Sequence, residues 1–457
     1  MSPEPVHALD LESLPLLQRA LERLDDGFPS LPAIRATVDP AAIERVLLEA
    51  AERMRDNYPY FHPLYAGQML KPPHPVARLA YAMSLWINPN NHALDGGRAS
   101  SAMEKEAVAD LARMIGWDTH LGHLTGGGTM ANLEALWVAG RLRPGLTVVA
   151  SEHAHYTHRR IGSVLGLDVE SVAVDRFGRM DPAALRTRLE RGGVGTVVAT
   201  LGTTAVGSVD PLAEILALRD EFGFRIHADA AYGGYFALAD GLDTPARVAF
   251  DRMGEVDSAV IDPHKHGLQP YGCGCVIFRD PSVGTLYQHD SPYTYFSSGD
   301  LHLGEISLEC SRPGAAAVAL WATQRLLPLS RGGSFARMLD DGRQAALALH
   351  ARLAADPRAL VAFPPELDIV VWAVRADRVS HASERARRVF DEAARRDLHL
   401  ALSELPVSFF DFAGAGVEVD RPTVIALRSV LMKAEHLEWL DRIGERLDAA
   451  VAVVLGP

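Results

Sequence analysis

Four groups capable of chemistry punctuate the chain, three of them at the end of an apolar run or in the turn after it and one in a Gly-rich turn that opens a helix. Lys265, the only lysine between Lys105 and Lys433, follows Ser258–Ile261 within Asp262-Pro263-His264-Lys265-His266, ahead of a Gly-rich turn and a second apolar run, Cys275–Phe278. An ε-amine held in a pocket has a lowered pKa and attacks aldehydes to form an imine. A loop lysine with its head in water fits the same pattern. Asp229, in His227-Ala228-Asp229-Ala230-Ala231-Tyr232-Gly233, closes another run and has few local partners. A buried carboxylate needs a cation or a strong donor, such as a protonated pyridine nitrogen; a helix N-cap is the alternative. Gly126-Gly127-Gly128-Thr129 opens a helical segment and offers N–H groups, a hydroxyl and the positive end of a helix dipole, a setting for phosphate as well as for a plain strand-to-helix turn. It is neither a GKS/T loop nor GxGxxG, which disfavours a nucleoside triphosphate or a dinucleotide. His153-Ala154-His155-Tyr156-Thr157-His158 follows a fourth run; beyond Glu152 no carboxylate or cysteine completes a metal set, so no metal is expected.

A phosphate cradle, a flat imidazole, a strand-end Asp and a strand-end Lys are together the parts that hold pyridoxal phosphate, the lysine as the imine partner and the Asp as the group that keeps the ring nitrogen protonated.

The elements that must position these groups are legible in the spacing. Residues 1 to about 60 read as peripheral helices, with an amphipathic stretch from Leu11 to Leu24 and Asp39-Pro40 as cap and first turn of a helix to about Asn57. An aromatic, Pro-broken stretch from Tyr58 to Gly67 fits a ligand wall or packing between elements. From residue 121 short apolar runs (146–150, 169–174, 196–201, 225–228, 258–261) alternate with helices, the signature of a mainly parallel sheet. Such sheets bind ligands beyond the carboxyl ends of their strands. After about Gly314 two helices lead to a different pattern: strands at 367–374 and 422–431, helices at 382–395 and 436–454. The expected organisation is a helical segment, 1–60, a large α/β domain, 61–329, and a small α+β domain, 330–457.

The totals narrow the partners. With 457 residues, 45 Lys and Arg against 58 Asp and Glu, and a net charge of −13, nucleic acid is disfavoured. No apolar run reaches the length of a membrane span, the N-terminus lacks a leader pattern, and three cysteines imply no disulfide framework, so a reducing cytoplasm is expected.

The motifs Gly127-Gly128-Thr129-Met130-Ala131-Asn132, Glu152-His-Ala-His155-Tyr-Thr, Leu201-Gly-Thr203-Thr204-Ala-Val-Gly207, His227-Ala-Asp229-Ala-Ala231-Tyr and Asp262-Pro-His264-Lys265 resemble those of the group II pyridoxal-phosphate-dependent amino acid decarboxylases. The likeness runs from about Phe61 onward, and Glu309 to Trp321 is closest to bacterial and archaeal tyrosine-decarboxylase-like members. It implies fold type I, aspartate aminotransferase-like, with a mainly parallel seven-stranded sheet and a small C-terminal α+β domain.

By the same resemblance Gly127, Gly128 and Thr129 hold the phosphate with His264, and His155 stacks on the ring. Asp229 pairs with the ring nitrogen beside Ala231, Thr204 lies by the 3-oxygen or the substrate carboxylate, and Lys265 bonds the cofactor. Tyr293, with Tyr295 second, falls where the family carries a loop tyrosine that returns a proton to carbon. The implied reaction converts an L-amino acid to its amine and CO2 in a homodimer whose sites lie between subunits, residues 1–60 clasping the partner.

Phe61, Pro63, Tyr65 and Trp86 favour an aromatic substrate. Arg98 and Arg312 are the cations an acidic one (glutamate, aspartate or cysteine sulfinate) would need. Aldehyde-forming decarboxylation, carbon–carbon lysis, transamination and an inactive scaffold are the alternatives on this fold. Departures from the family pattern lie at Thr157-His158-Arg159, at His266 and at Leu431-Met432-Lys433-Ala434.

Overall fold

An apolar run followed by an amphipathic segment makes a strand–helix unit, and repetition of that unit builds the large sheet. The structure, a computed structural model, describes residues 9–32, 39–288 and 301–456. Helices α1 (Leu14–Asp25), α2 (Pro40–Met54), α3 (Pro75–Ser84) and α4 (Arg98–Met114) precede the sheet. Its strands are β1 (Leu121–Thr125), β2 (Thr147–Ser151), β3 (Val169–Val172), β4 (Val194–Thr200), β5 (Arg225–Asp229), β6 (Ser258–Ile261) and β7 (Gly274–Phe278), in the order β1-β7-β6-β5-β4-β2-β3. The pairs from β3 through β2, β4 and β5 to β6 are parallel, whereas β7 runs antiparallel to both β6 and β1. Consequently β1 to β6 all end at one edge of the sheet, and β7 begins there.

Helices α5 (Gly128–Leu142), α6 (Thr157–Leu165), α7 (Pro182–Leu189), α8 (Leu212–Phe222) and α9 (Thr244–Asp251) make the connections. Asp181 caps α7, its carboxylate accepting from Ala183 N at 2.8 Å, with Pro182 in the first turn. The central strands carry side chains buried on both faces, as covered parallel strands must.

After α10 (Gly314–Leu326), which packs on α3 and α4, and α11 (Ser334–Ala354), the chain forms a four-stranded antiparallel sheet. It comprises β8 (Ala359–Val361), β9 (Ile369–Val374), β10 (Ala401–Pro406) and β11 (Thr423–Val430), in the order β10-β11-β9-β8, with α12 (Val379–Ala394) and α13 (Leu440–Leu455). Period-two alternation divides β9: Ile369, Val371 and Ala373 join the core beneath the large sheet, while Val370, Trp372 and Val374 face a second core with Leu349, Val389 and Leu447. The principal core therefore runs through the junction between the two sheets. The segment before α3 also belongs to that junction, since Ala66 N donates to His399 O at 2.9 Å and Val430 N to Ala66 O at 2.8 Å.

The expected mainly parallel seven-stranded sheet and smaller α+β unit are both present. The strand expected to reach residue 174 ends at Val172, Val174 forming only an isolated bridge to Met180. Strands β1, β8 and β10 and helix α9 were not anticipated. Leu-Gly-His-Leu-Thr has no apolar run to announce it; β1 is held by His123, whose Nε2 lies 3.0 Å from Glu134 Oε2, and by Glu104, which accepts from Leu124 N at 2.9 Å. Among the described residues no helix is long and apolar enough to cross a membrane.

The reversed strand β7 presses its first residue into the turn after β1. A Cβ on Gly274 would lie 2.5 Å from the Gly127 carbonyl carbon and 2.7 Å from Thr125 Oγ1, and Gly127 itself has φ +144°, a region that favours glycine. Gly274→Ala is therefore expected to cost about 1–3 kcal/mol in a urea titration and to loosen whatever the turn at 126–129 holds.

Candidate active site

The shared edge of the sheet opens into a cavity of about 600 Å³, and every strand that ends there except β3 contributes to its lining, directly or through the turn after it. The turn after β1 supplies Gly126, Gly127, Gly128 and Thr129, and the one after β2 supplies His155. The turn after β4 adds Gly202 and Thr204, β5 ends in Asp229 with Ala231 in the turn after it, and the turn after β6 carries Asp262, His264 and Lys265. The candidate cofactor-binding residues Gly127, Gly128, Thr129, His155, Thr204, Asp229, Ala231, His264 and Lys265 are thus brought to one cavity.

Lys265 Nζ lies 3.1 Å from Asp262 Oδ2, and His264 Nδ1 lies 2.7 Å from Cys273 O with its ring against Tyr271 at 4.7 Å between centroids. On the other side of Asp262 the N–H groups of Gly128 and Thr129, the first residues of α5, have no intrahelical acceptor. A Cβ on Gly128 would fall 2.5 Å from Asp262 Oδ2, so a side chain there would meet the carboxylate across the turn. Asn132 ties this turn to β5: its Nδ2 donates to Gly128 O at 2.9 Å, and its Oδ1 accepts from His227 Nε2 at 2.9 Å. His227 is neutral in this arrangement, burial pushing its pKa down to about 3.

Asp229 is buried at the end of β5. Its Oδ1 accepts from Ala231 N at 3.2 Å and its Oδ2 from His158 Nε2 at 2.9 Å. Burial alone would raise its pKa, but the hydrogen bond and charge of His158, with Lys265 behind it, hold the carboxyl well below the usual range. His155 accepts at Nδ1 from Thr157 N at 3.4 Å, which leaves the ring hydrogen on Nε2, and burial lowers its pKa, so it faces the cavity as a neutral ring.

A primary amine, an ionised carboxylate, a side-chain-free turn with free N–H groups and a neutral imidazole form a donor set that fits a phosphorylated pyridine aldehyde. Glu309 caps the neighbouring Gly126 N at 3.0 Å.

Other sequence-derived candidates lie elsewhere. Among the described residues none of the six substrate candidates lines the cavity. Tyr65 is buried against Tyr60 and His399, and Phe61 and Pro63 belong to the same segment beside the small sheet. Trp86 is 66% exposed, and Arg98 reaches only Asp95 at 3.6 Å. Arg312 is buried in a structural pair, Nη1 donating to Glu104 Oε1 at 2.7 Å and to Leu124 O at 2.5 Å. Tyr293 and Tyr295 lie outside the described residues. No group of His, Cys, Asp or Glu among the described residues could hold a metal ion.

The sequence reading missed Asp262, Tyr271 and Glu309 in the lining and His158 behind Asp229. His158 stood out in the sequence only as a member of the His153–His158 run and in the departure at residues 157–159, and neither pointed to Asp229.

The pyridoxal-dependent decarboxylase conserved domain matches residues 133–375, more than half of the chain. A probable L-tyrosine/L-aspartate decarboxylase of Methanothermobacter thermautotrophicus is 31% identical over 267 residues, 57% of this chain and 70% of that protein. The L-tyrosine decarboxylase of Levilactobacillus brevis is 27% identical over 403 residues, 66% of this chain and 64% of that protein. The L-aspartate decarboxylase of Thermococcus kodakarensis is 31% identical over 290 residues, 62% of this chain and 72% of that protein. In fold the chain is similar to mouse CSAD, with a TM-score of 0.77 and 20% identity over 94% of this chain and 91% of that one. It is also similar to Oryza sativa TDC with PLP and tryptamine, with a TM-score of 0.76 and 18% identity over 98% and 99%.

The Asp229 geometry sets a pH dependence. In the unfolded chain an aspartate titrates near about pH 4, and the folded value lies below that. The ionised group therefore stabilises the fold above about pH 4, and the contribution is lost as pH falls through the folded value. Asp229→Asn is expected to be less stable than the parent at pH 7 by about 1.5–3 kcal/mol, with the difference narrowing towards pH 3 in urea titrations of the apoprotein.

Proposed function

Because the chain belongs to the pyridoxal-dependent decarboxylase family, we propose that its substrate is an aromatic, tyrosine-like L-amino acid, released as the amine. The chain is a pyridoxal-phosphate-dependent amino acid decarboxylase; the side chain it selects is the proposal. The observation that carries it is the character of the cavity wall. Tyr232, Tyr271, Met130 and Leu133 supply apolar surface, Glu309 and Asp262 supply carboxylates, and no arginine is among the described lining residues. An aromatic ring buries well against such a wall, whereas an acidic side chain would meet like charge. The aspartate-named relatives support a second reading, in which a cation from elsewhere in the assembly pairs with an acidic substrate.

Pyridoxal phosphate, when bound, supplies the sink for the electron pair left behind by departing CO2. In this reading Lys265 holds its aldehyde carbon, Asp229 its ring nitrogen, and Gly127, Gly128, Thr129 and His264 its phosphate. His155 covers the ring face, with Ala231 beside Asp229 and Thr204 at the 3-oxygen or the substrate carboxylate. The neutral His155 brings no second positive charge to compete with the ring nitrogen for Asp229. Tyr293 donates a proton to the substrate Cα, with Tyr295 as the second candidate.

The working unit in this proposal is a homodimer with its sites between subunits. Helix α2 supports it, because Ile43, Val46, Leu47 and Leu48 are exposed on the single chain, an apolar face of the kind that partners cover.

Lys265→Ala is expected to remove the visible absorbance of the bound cofactor, and the parent to release CO2 and amine from tyrosine, phenylalanine, tryptophan or Dopa. Amine from glutamate, aspartate or cysteine sulfinate alone would sink the aromatic reading and leave the class intact. Tyr293→Phe is expected to cut amine formation at least about tenfold with aldehyde as the diverted product; an undiminished amine yield would remove Tyr293 from the role of proton donor.

A further inference from the structure

The carboxylate at the end of β5 has a neighbour that the grip on the cofactor does not by itself require. His158, in the first turn of α6, is buried, and its Nε2 lies 2.9 Å from Asp229 Oδ2. Its other ring nitrogen, Nδ1, is buried without a hydrogen-bond partner among the described residues, and so is Ser151 Oγ. Both residues line a separate cavity of about 240 Å³ behind the start of α6, together with Glu152, His155, Arg159 and Ser171. Arg159 Nη2 donates to Ser171 Oγ at 2.9 Å in the same wall. A polar cavity of that size holds several waters at roughly 30 Å³ each.

A carboxylate has about four lone-pair sites. Ala231 N and His158 Nε2–H take one on each oxygen of Asp229, which fixes the plane of the group and leaves acceptor sites for a ring N–H. We propose that His158 is a positioning residue for the cofactor ring: its Nε2–H holds the Asp229 carboxylate in place, and water of the rear cavity satisfies its Nδ1. The proposal rests on Asp229 as the partner of the ring nitrogen. An apolar residue of similar volume would fill the same space beneath α6 but could not orient the carboxylate, so packing and positioning make different predictions.

Equilibrium dialysis of the apoprotein against pyridoxal phosphate separates them, with Asp229→Asn, His158→Leu and His158→Gln compared with the parent and thermal midpoints recorded for each. Asp229→Asn and His158→Leu are expected to weaken binding by about tenfold or more, and His158→Gln, which keeps a donor, by no more than about threefold. Equal weakening by His158→Leu and His158→Gln would overturn the positioning role. Unchanged binding by Asp229→Asn would overturn its premise, the assignment of Asp229 to the ring nitrogen, and so tells the two failures apart. Should His158→Leu fail to fold, nitrogen NMR of the parent holoenzyme with labelled histidine decides: a hydrogen on Nε2 of His158 supports the proposal, and one on Nδ1 alone overturns it.

Discussion

A negative charge placed inside a sheet has to be compensated, and the ionised Asp229 at the end of β5 is the constraint around which the site is built. Water would stabilise the carboxylate at no structural cost; at this depth a donor from each side must do so. His158 reaches it from α6 and Ala231 N from the turn after β5, while His227 lies one residue pair behind it in the same strand. His227 is occupied through Asn132 with the turn that opens α5. The strand that carries the charge is therefore coupled through side chains to the turn that would hold the phosphate.

The same economy explains why the strand ends matter more than the strands. Six strands finish at one edge because their connections run over the faces of the sheet, and the turns beyond five of them, all but β3, deliver polar groups to a common cavity. Lys265, Asp229, Thr204, His155 and the Gly126–Thr129 turn are far apart in the chain yet share a wall. Strand β7 departs from the parallel pattern, and by starting at the edge it brings Gly274 against the turn at Gly127.

These strand ends are also why much of the site was legible in the sequence. Apolar runs such as Val197–Ala199 and Ala259–Ile261 announce buried strands, and a lysine or an aspartate soon after such a run has a predictable place; the glycine turn at 126–129 was legible from its own composition and the helix it opens. Two kinds of residue escaped. Elements without an apolar run, such as β1 with Gly122 and His123 or β10 with Ser403 and Glu404, are stabilised by specific partners that only the fold supplies. Residues whose role depends on a distant neighbour gave no sign of that role: His158 belongs to a histidine run with nothing to tie it to Asp229 until β5 places the carboxylate beside it. The aromatic stretch at 58–65 was recognisable as apolar, but its side chains lie against His399 and the small sheet, because Leu64 and Ala66 bond to His399 and Val430.

Tyr232 lines the cavity, yet its hydroxyl donates to Asp368 Oδ1 at 2.6 Å, immediately before β9 of the small sheet. His266, the residue after Lys265, lies 3.3 Å from Asp368 Oδ2. Burial pushes the Asp368 carboxyl up to about 6, against the pull of the Tyr232 hydroxyl. The floor of the cavity is in this way bolted to the second sheet, and the apolar core continues past the bolt without interruption. In evolutionary terms the two sheets are not exchangeable modules: a C-terminal half borrowed from a relative would have to bring its own Asp368 and its own complement to the core beneath Lys265, so the halves are bound to diverge together.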